Sequence, residues 1–87
     1  HMDLDLYFET KFAQTYPQFT KKLVTVSDNL TAKEIKVCML LKMNYNSNQI
    51  VMSLGISKSN FLNTRSSIRK KLNLDRKDNL IIFLLSL

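Results

Sequence analysis

The basic side chains of this sequence are concentrated in its C-terminal third. Seven of them lie between positions 58 and 77, where only Asp75 opposes them, and the whole chain has a formal net charge of +6. Such a stripe attracts phosphate groups, as nucleic-acid backbones present them. The alternative interpretation is a solvated face that keeps the chain in solution. The seven residues are Lys58, Arg65, Arg69, Lys70, Lys71, Arg76 and Lys77.

Catalytic chemistry has little support. The one histidine is His1, no glycine-rich phosphate loop is present, and the seven acidic residues show no metal-ligand spacing. Cys38 has no second cysteine or histidine as a partner, which favours a buried structural thiol. We therefore expect a protein that is not an enzyme and uses no metal, cofactor or small-molecule ligand.

Length and composition favour a single helical domain. A chain of 87 residues is too short for two domains, and one glycine and one proline are too few for the turns of a small β-protein. The longest apolar run, Leu80 to Leu85, is far shorter than the ~20 residues that span a bilayer, and no signal segment opens the chain. We expect an all-α, cytoplasmic protein that does not enter a membrane.

Two short helices are expected before residue 29. Pro17 separates them and suits the first turn of the second. We interpret residues 3–28 as a helical flank packed on the core, and residues 1–2 as a cloning remnant. In the first helix, the spacing of Leu4, Tyr7, Phe8, Lys11 and Phe12 is that of one apolar helix face, with Lys11 as the one polar exception.

The next helix has the clearest start. Thr31 as N-cap and Glu34 three residues later form a capping box, so a helix is expected from Ala32. It should end near Met43, where Asn44 suits a left-handed conformation.

The following stretch has the spacing of a helix-turn-helix. Ser47 is expected to cap a helix over 47–54, Gly55 supplies the turn, and Ser57 caps a longer helix over 58–72. The inward face of the longer helix consists of Phe61, Thr64, Ile68 and Leu72. Its outward face consists of Lys58, Ser59, Leu62, Asn63, Ser66, Arg69 and Lys70.

The end of the chain predicts one more helix, over 76–86, capped by Asp75. This segment is apolar on nearly every side after Asn79, and a short helix without a polar face needs burial on two sides. The second side would pack either on the helix over 3–15 or on a second copy of the chain.

These features together resemble the LuxR/GerE-type DNA-binding domain over about residues 31–84. Two segments, RKKLNLDRKDNL at residues 69–80 and FETKFAQTYPQF at residues 8–19, look like the C-terminal region of large bacterial hybrid sensor regulators. The sequence departs from the family pattern at Asn44, at Gln49-Ile50-Val51 and at Asn60-Phe61. The matching residues are Leu30, Thr31, Glu34, Ser47, Ile50, Leu54, Gly55, Ile56, Ser57, Phe61, Ile68, Lys71 and Leu72.

The resemblance implies a helix-turn-helix bundle without a wing over 29–87, with two extra N-terminal helices. It implies sequence-specific binding of double-stranded DNA by the effector domain of a transcription regulator in signal transduction. It also implies a homodimer on DNA, paired through Leu80, Leu84 and Leu87 of the last helix. Two alternatives remain: a promoter-reading domain like that of a sigma factor, and a helical interaction module whose basic face meets an acidic protein or an anionic membrane.

By the same resemblance Leu62, Asn63 and Ser66 meet base edges. Asn63 can pair bidentately with adenine, Leu62 can touch a thymine methyl group, and Ser66 can bond several bases. Arg65 has an alternative role, pairing with Glu34 or Asp28. The residues expected to contact phosphates are Ser47, Ser57, Lys58, Ser59, Arg65, Arg69, Lys70 and Lys71.

Overall fold

Six α-helices and no strand make up the part of the chain that the computed structural model describes, which is residues 3–87, with side-chain burial from Leu6 onward. The all-α prediction is confirmed for this part. The interpretation of residues 1–2 as a cloning remnant, and the side chain of Leu4, lie outside it. The helices are α1 Asp3–Thr15, α2 Phe19–Val26, α3 Ala32–Lys42, α4 Ser47–Leu54, α5 Lys58–Lys71 and α6 Leu80–Leu85.

The core is built around α3, which packs against both α5 and α6. Because α3 has neighbours on several sides, consecutive residues of this helix are buried rather than one stripe. Burial of each such aliphatic side chain stabilises the folded state by about 1.5–3 kcal/mol relative to leaving it exposed. Among the buried core residues are Val37, Cys38, Leu40, Leu41, Ile50, Phe61, Ile68, Leu72, Leu80 and Leu84.

The start and end of α3 confirm the local predictions. Thr31 Oγ1 accepts a hydrogen bond from the Glu34 backbone N–H at 3.1 Å, and Glu34 Oε1 accepts one from the Thr31 N–H at 2.9 Å. Asn44, just beyond the helix, has the left-handed φ of 66°. Cys38 is buried as predicted, and burial, with the Glu34 charge as a second cause, raises the pKa of its thiol to about 12.

Helices α1 and α2 each contribute an aromatic side chain to the same core. The rings of Phe12 and Phe19 meet edge to face with centroids 5.4 Å apart, and both are buried. Of the predicted stripe of α1, Phe8 and Phe12 pack on the core, whereas the prediction is wrong at Tyr7, which is exposed.

Pro17 lies in the turn between α1 and α2, not in the first turn of α2 as predicted. The residue before a proline is disfavoured in the α conformation, so α1 stops at Thr15 and Tyr16 leaves it. The turn is closed by a hydrogen bond of 3.2 Å from the Phe19 N–H to the Tyr16 carbonyl oxygen, and α2 begins at Phe19.

The last helix is shorter than predicted. It covers only Leu80–Leu85 and is capped by Asn79, whose side chain accepts a hydrogen bond from the Ile82 N–H at 3.0 Å. Asp75 does not cap it, because a separate turn formed by residues 75–78 comes between.

The predicted dimer surface is wrong for two of its three residues. Leu80 and Leu84, one turn apart, are 0% exposed, since this side of α6 packs on α3. Leu87 is half-buried against the same core. The apolar residues that α6 does expose are Ile82, at 66%, and Leu85, at 43%.

Candidate nucleic-acid interface

The junction of α4 and α5 determines how α5 is presented. Gly55 ends α4 in the left-handed conformation, with φ 63° and ψ 39°, and the Gly55 and Ile56 N–H groups both donate to the Val51 carbonyl oxygen. Only three residues join the helices, and Ser57 Oγ then accepts from the Asn60 N–H at 3.0 Å to start α5. The predicted turn glycine and Ser57 cap are confirmed.

The start of α4 is capped by Asn46, not by Ser47 as predicted. The Asn46 side chain accepts from the Gln49 N–H at 2.9 Å, and Gln49 Oε1 accepts from the Asn46 N–H at 2.8 Å. Two adjacent residues with capping side chains allow either choice, and the reciprocal bond with Gln49 favours Asn46. Ser47 becomes the first residue of the helix and is half-buried.

The outward face of α5 is as the sequence predicts, with one exception. Leu62 is 49% exposed, and Asn63 and Ser66 are exposed beside it. Arg69 is the exception, because it is half-buried. The other exposed members of this face are Lys58, Ser59 and Lys70.

A polar depression of about 440 Å³ borders this face on the side of α3. At its edge Lys33 Nζ donates to Asn60 Oδ1 at 2.6 Å, which ties the first turn of α3 to the first turn of α5. The sequence does not indicate this contact, because the two residues are 27 positions apart. The depression is lined by Glu34, Ser57, Ser59, Asn60, Asn63, Thr64 and Ser67.

Glu34, which is buried, forms an ion pair with Lys71, which is half-buried. Lys71 Nζ lies 2.8 Å from Glu34 Oε1, and Ser67 Oγ donates to Glu34 Oε2 at 2.7 Å. Burial by itself raises the pKa of Glu34, but the hydrogen bonds from Lys71, the Thr31 N–H and Ser67, together with the Lys71 charge, lower it to about 2.

This pair changes two expectations for phosphate contacts. The structure places the Lys71 ammonium on Glu34, at the side of α5 that faces α3, and not on the outward face. Arg65 is half-buried, and the partner of Glu34 is Lys71 instead of Arg65.

Arg69 also has protein partners. Its Nη1 donates to the Asp78 carbonyl oxygen at 2.8 Å and its Nη2 to the Asp75 carbonyl oxygen at 2.6 Å. The guanidinium thus lies on the turn that follows α5, where the sequence predicts a phosphate contact.

The structure therefore divides the predicted interface into two groups. Leu62, Asn63 and Ser66 share one accessible face with Lys58, Ser59 and Lys70, whereas Arg69 and Lys71 contact the rest of the protein. Among the side chains that the structure describes, from Leu6 onward, no cluster of three or more potential ligands is arranged to hold a metal ion. No helix in the described part of the chain combines the length and apolar character needed to cross a membrane.

Comparison of the chain with protein-family models, curated proteins and solved structures found no match in any of the three.

Proposed function

We propose that this chain binds duplex DNA in a sequence-specific manner, as the effector domain of a bacterial transcription regulator in the cytoplasm. The observation that carries the proposal is the outward face of α5. A helix whose other side is fixed to the core by Phe61 and Ile68 exposes hydrogen-bonding and basic side chains together, in a chain of net charge +6.

The face of α5 suits the major groove of DNA, which is about 12 Å wide and admits one α-helix. Asn63 supplies a carboxamide that can donate to and accept from adenine, and Ser66 supplies a hydroxyl group that adapts to several bases. Leu62 offers an apolar surface for a thymine methyl group. These three residues lie within five consecutive positions, so a single groove can receive all of them.

Exposed lysines flank the base-reading residues. Lys58 and Lys70 lie near the two ends of α5, which at 1.5 Å per residue separates their Cα atoms by about 18 Å along the helix axis. Such spacing suits contacts with phosphates at the margins of the groove, with the Ser57 and Ser59 hydroxyl groups beside Lys58. The lysines would supply affinity, and Asn63 and Ser66 would supply discrimination.

Two copies of the chain would bind a palindromic site as a homodimer. Ile82 and Leu85 of α6 support this proposal, because both are exposed apolar residues on a helix whose opposite side is already packed. A contact made by one short helix from each copy is smaller than a stable interface, so assembly would need DNA. The half-sites would lie about one helical turn, or ~34 Å, apart.

Selection of bound sequences from a random duplex pool tests the proposal. We expect enrichment of a palindromic motif, bound at least about a hundredfold more tightly than random duplex, with affinity that falls steeply as salt rises. Equal binding of selected and random duplexes would contradict sequence-specific recognition. No affinity for any duplex at low salt would contradict DNA binding and favour a protein-interaction module.

A further inference from the structure

The turn after α5 is held closed by hydrogen bonds of its own. The Asp78 N–H donates to the Asp75 carbonyl oxygen at 3.0 Å, and the Asp75 N–H donates to Asp78 Oδ2 at 2.8 Å. The Asp78 carboxylate is therefore engaged within the turn. Arg76 and Lys77 form its middle, and both are exposed.

Arg69 attaches this turn to α5. Its two terminal nitrogens donate to the carbonyl oxygens of Asp75 and Asp78, at 2.6 and 2.8 Å, which are the residues on either side of Arg76 and Lys77. A guanidinium group is a rigid planar fork, so two such bonds restrict both the position and the tilt of the turn. A lysine at position 69 has no such fork.

The attachment brings the turn beside the outward face of α5. Arg69 follows Ser66 by three positions, and residues three apart are neighbours on a helix surface. The turn that Arg69 holds is therefore next to the C-terminal end of the outward face, where Lys70 is also exposed. Arg76 and Lys77 extend the basic surface of α5 beyond its last residue.

We propose that the turn at residues 75–78 is a second contact with the DNA phosphate backbone, made by Arg76 and Lys77, and that Arg69 is its positioning residue. This inference rests on the proposed DNA binding. It differs from the sequence-based expectation in that Arg69 supports binding through the turn and makes no phosphate contact itself. The contact is with the backbone, so it adds affinity for every sequence alike.

The salt dependence of duplex binding tests the contact. Removal of one phosphate contact flattens the plot of log K against log salt by about 0.9, so the double variant Arg76→Ala/Lys77→Ala should flatten it by about 1.8. The ratio of cognate to random affinity should not change. The charge-matched control is Lys21→Ala/Lys22→Ala, which removes two exposed lysines from α2 and should leave the slope unchanged.

A double-variant cycle tests the role of Arg69. Alone, Arg69→Ala should flatten the plot, because it releases the turn. In the Arg76→Ala/Lys77→Ala background it should have no further effect. If Arg69 itself bound a phosphate, its replacement would flatten the plot by about 0.9 in both backgrounds.

Arg69→Lys gives an independent measurement, since it keeps the charge and removes the fork. We expect it to flatten the slope as Arg69→Ala does, whereas a retained slope would overturn the positioning role. Circular dichroism must show that each variant is folded. If both Arg69 variants unfold, the salt slope of the Arg76→Ala/Lys77→Ala variant decides whether the turn contacts phosphates. An unchanged slope in that variant, with the wild type binding duplex normally, overturns this inference and leaves the proposed function intact. Absence of duplex binding by the wild type overturns both.

Discussion

Lys71 Nζ lies 2.8 Å from Glu34 Oε1 and so connects the last turn of α5 to the first turn of α3. The same carboxylate accepts from the Thr31 N–H and from Ser67. One side chain therefore caps α3 and fixes the orientation of α5 relative to it. Any recognition by the outward face of α5 depends on this orientation.

Replacing Glu34 should remove a pH-dependent part of the stability. The folded state lowers the pKa of Glu34 from 4.5 to about 2, so its contribution is complete above about pH 4.5 and is lost as the pH falls towards 2. Urea unfolding should show that, as the pH falls from about 6 to 2, the free energy of unfolding of the wild type decreases by about 2–3 kcal/mol more than that of Glu34→Gln. Parallel pH profiles for the two proteins would contradict the role of the ion pair.

Asn63→Ala should weaken discrimination between cognate and random duplex by about 1–3 kcal/mol, the value of one good bidentate base contact. Affinity for random duplex should change little, because the exposed amide makes no contact with phosphates in the proposed complex. Competition binding with both duplexes measures the difference. Gln14→Ala, at an exposed position of α1, is the control. Equal losses on the two duplexes would show that Asn63 does not read a base.

Lys70→Ala should weaken binding to all sequences alike and flatten the plot of log K against log salt by about 0.9. Lys70 is exposed and lies on the outward face, unlike Lys71, whose ammonium is paired with Glu34. Salt titrations of Lys70→Ala and of the α2 variant Lys21→Ala give a charge-matched comparison. If the two variants have the same slope, Lys70 belongs to a solvated face.

The two sides of α6 should respond differently to a charge. Leu84→Asp places a carboxylate in the core and should unfold the domain, because a buried unpaired charge is highly unfavourable. Ile82→Asp changes an exposed residue and should leave a folded domain that binds one half-site normally but binds a palindromic site without cooperativity. Circular dichroism and titration of duplexes with one or two half-sites measure both effects. Undiminished cooperativity in Ile82→Asp would exclude this side of α6 as the dimer surface.

Gly55→Ala should destabilise the fold by about 1 kcal/mol. No atom lies within 4 Å of the position that a Cβ atom would take, so the cost comes only from the positive φ of 63°. Gly55→Asn should cost less, since asparagine tolerates the left-handed conformation. Urea unfolding of both variants checks this order, and an alanine variant as stable as the wild type would contradict it.

Contacts between residues close in sequence explain which parts of the fold were predictable. The Thr31–Glu34 capping box, the Ser57 cap and the left-handed Asn44 and Gly55 each depend on a few consecutive residues, and all four are present as predicted. The bounds of α4 and the accessible position of Asn63 follow from the same local rules. At the adjacent residues Asn46 and Ser47 the predicted cap, Ser47, is wrong, although the reciprocal bonds between Asn46 and Gln49 are also local.

Partners distant in sequence decided the rest. Charge composition places Arg69 and Lys71 in the same basic stripe as Lys70, but it does not show that Glu34, 37 positions from Lys71, takes the Lys71 ammonium. The sequence also does not predict which side of α6 is buried, because a helix that is apolar all round has no periodicity to indicate its inward face. Packing on α3 buried Leu80 and Leu84 and left Ile82 exposed. Hydrophobic burial and long-range hydrogen bonding depend on which surfaces meet in three dimensions, and the local pattern of residues does not encode that choice.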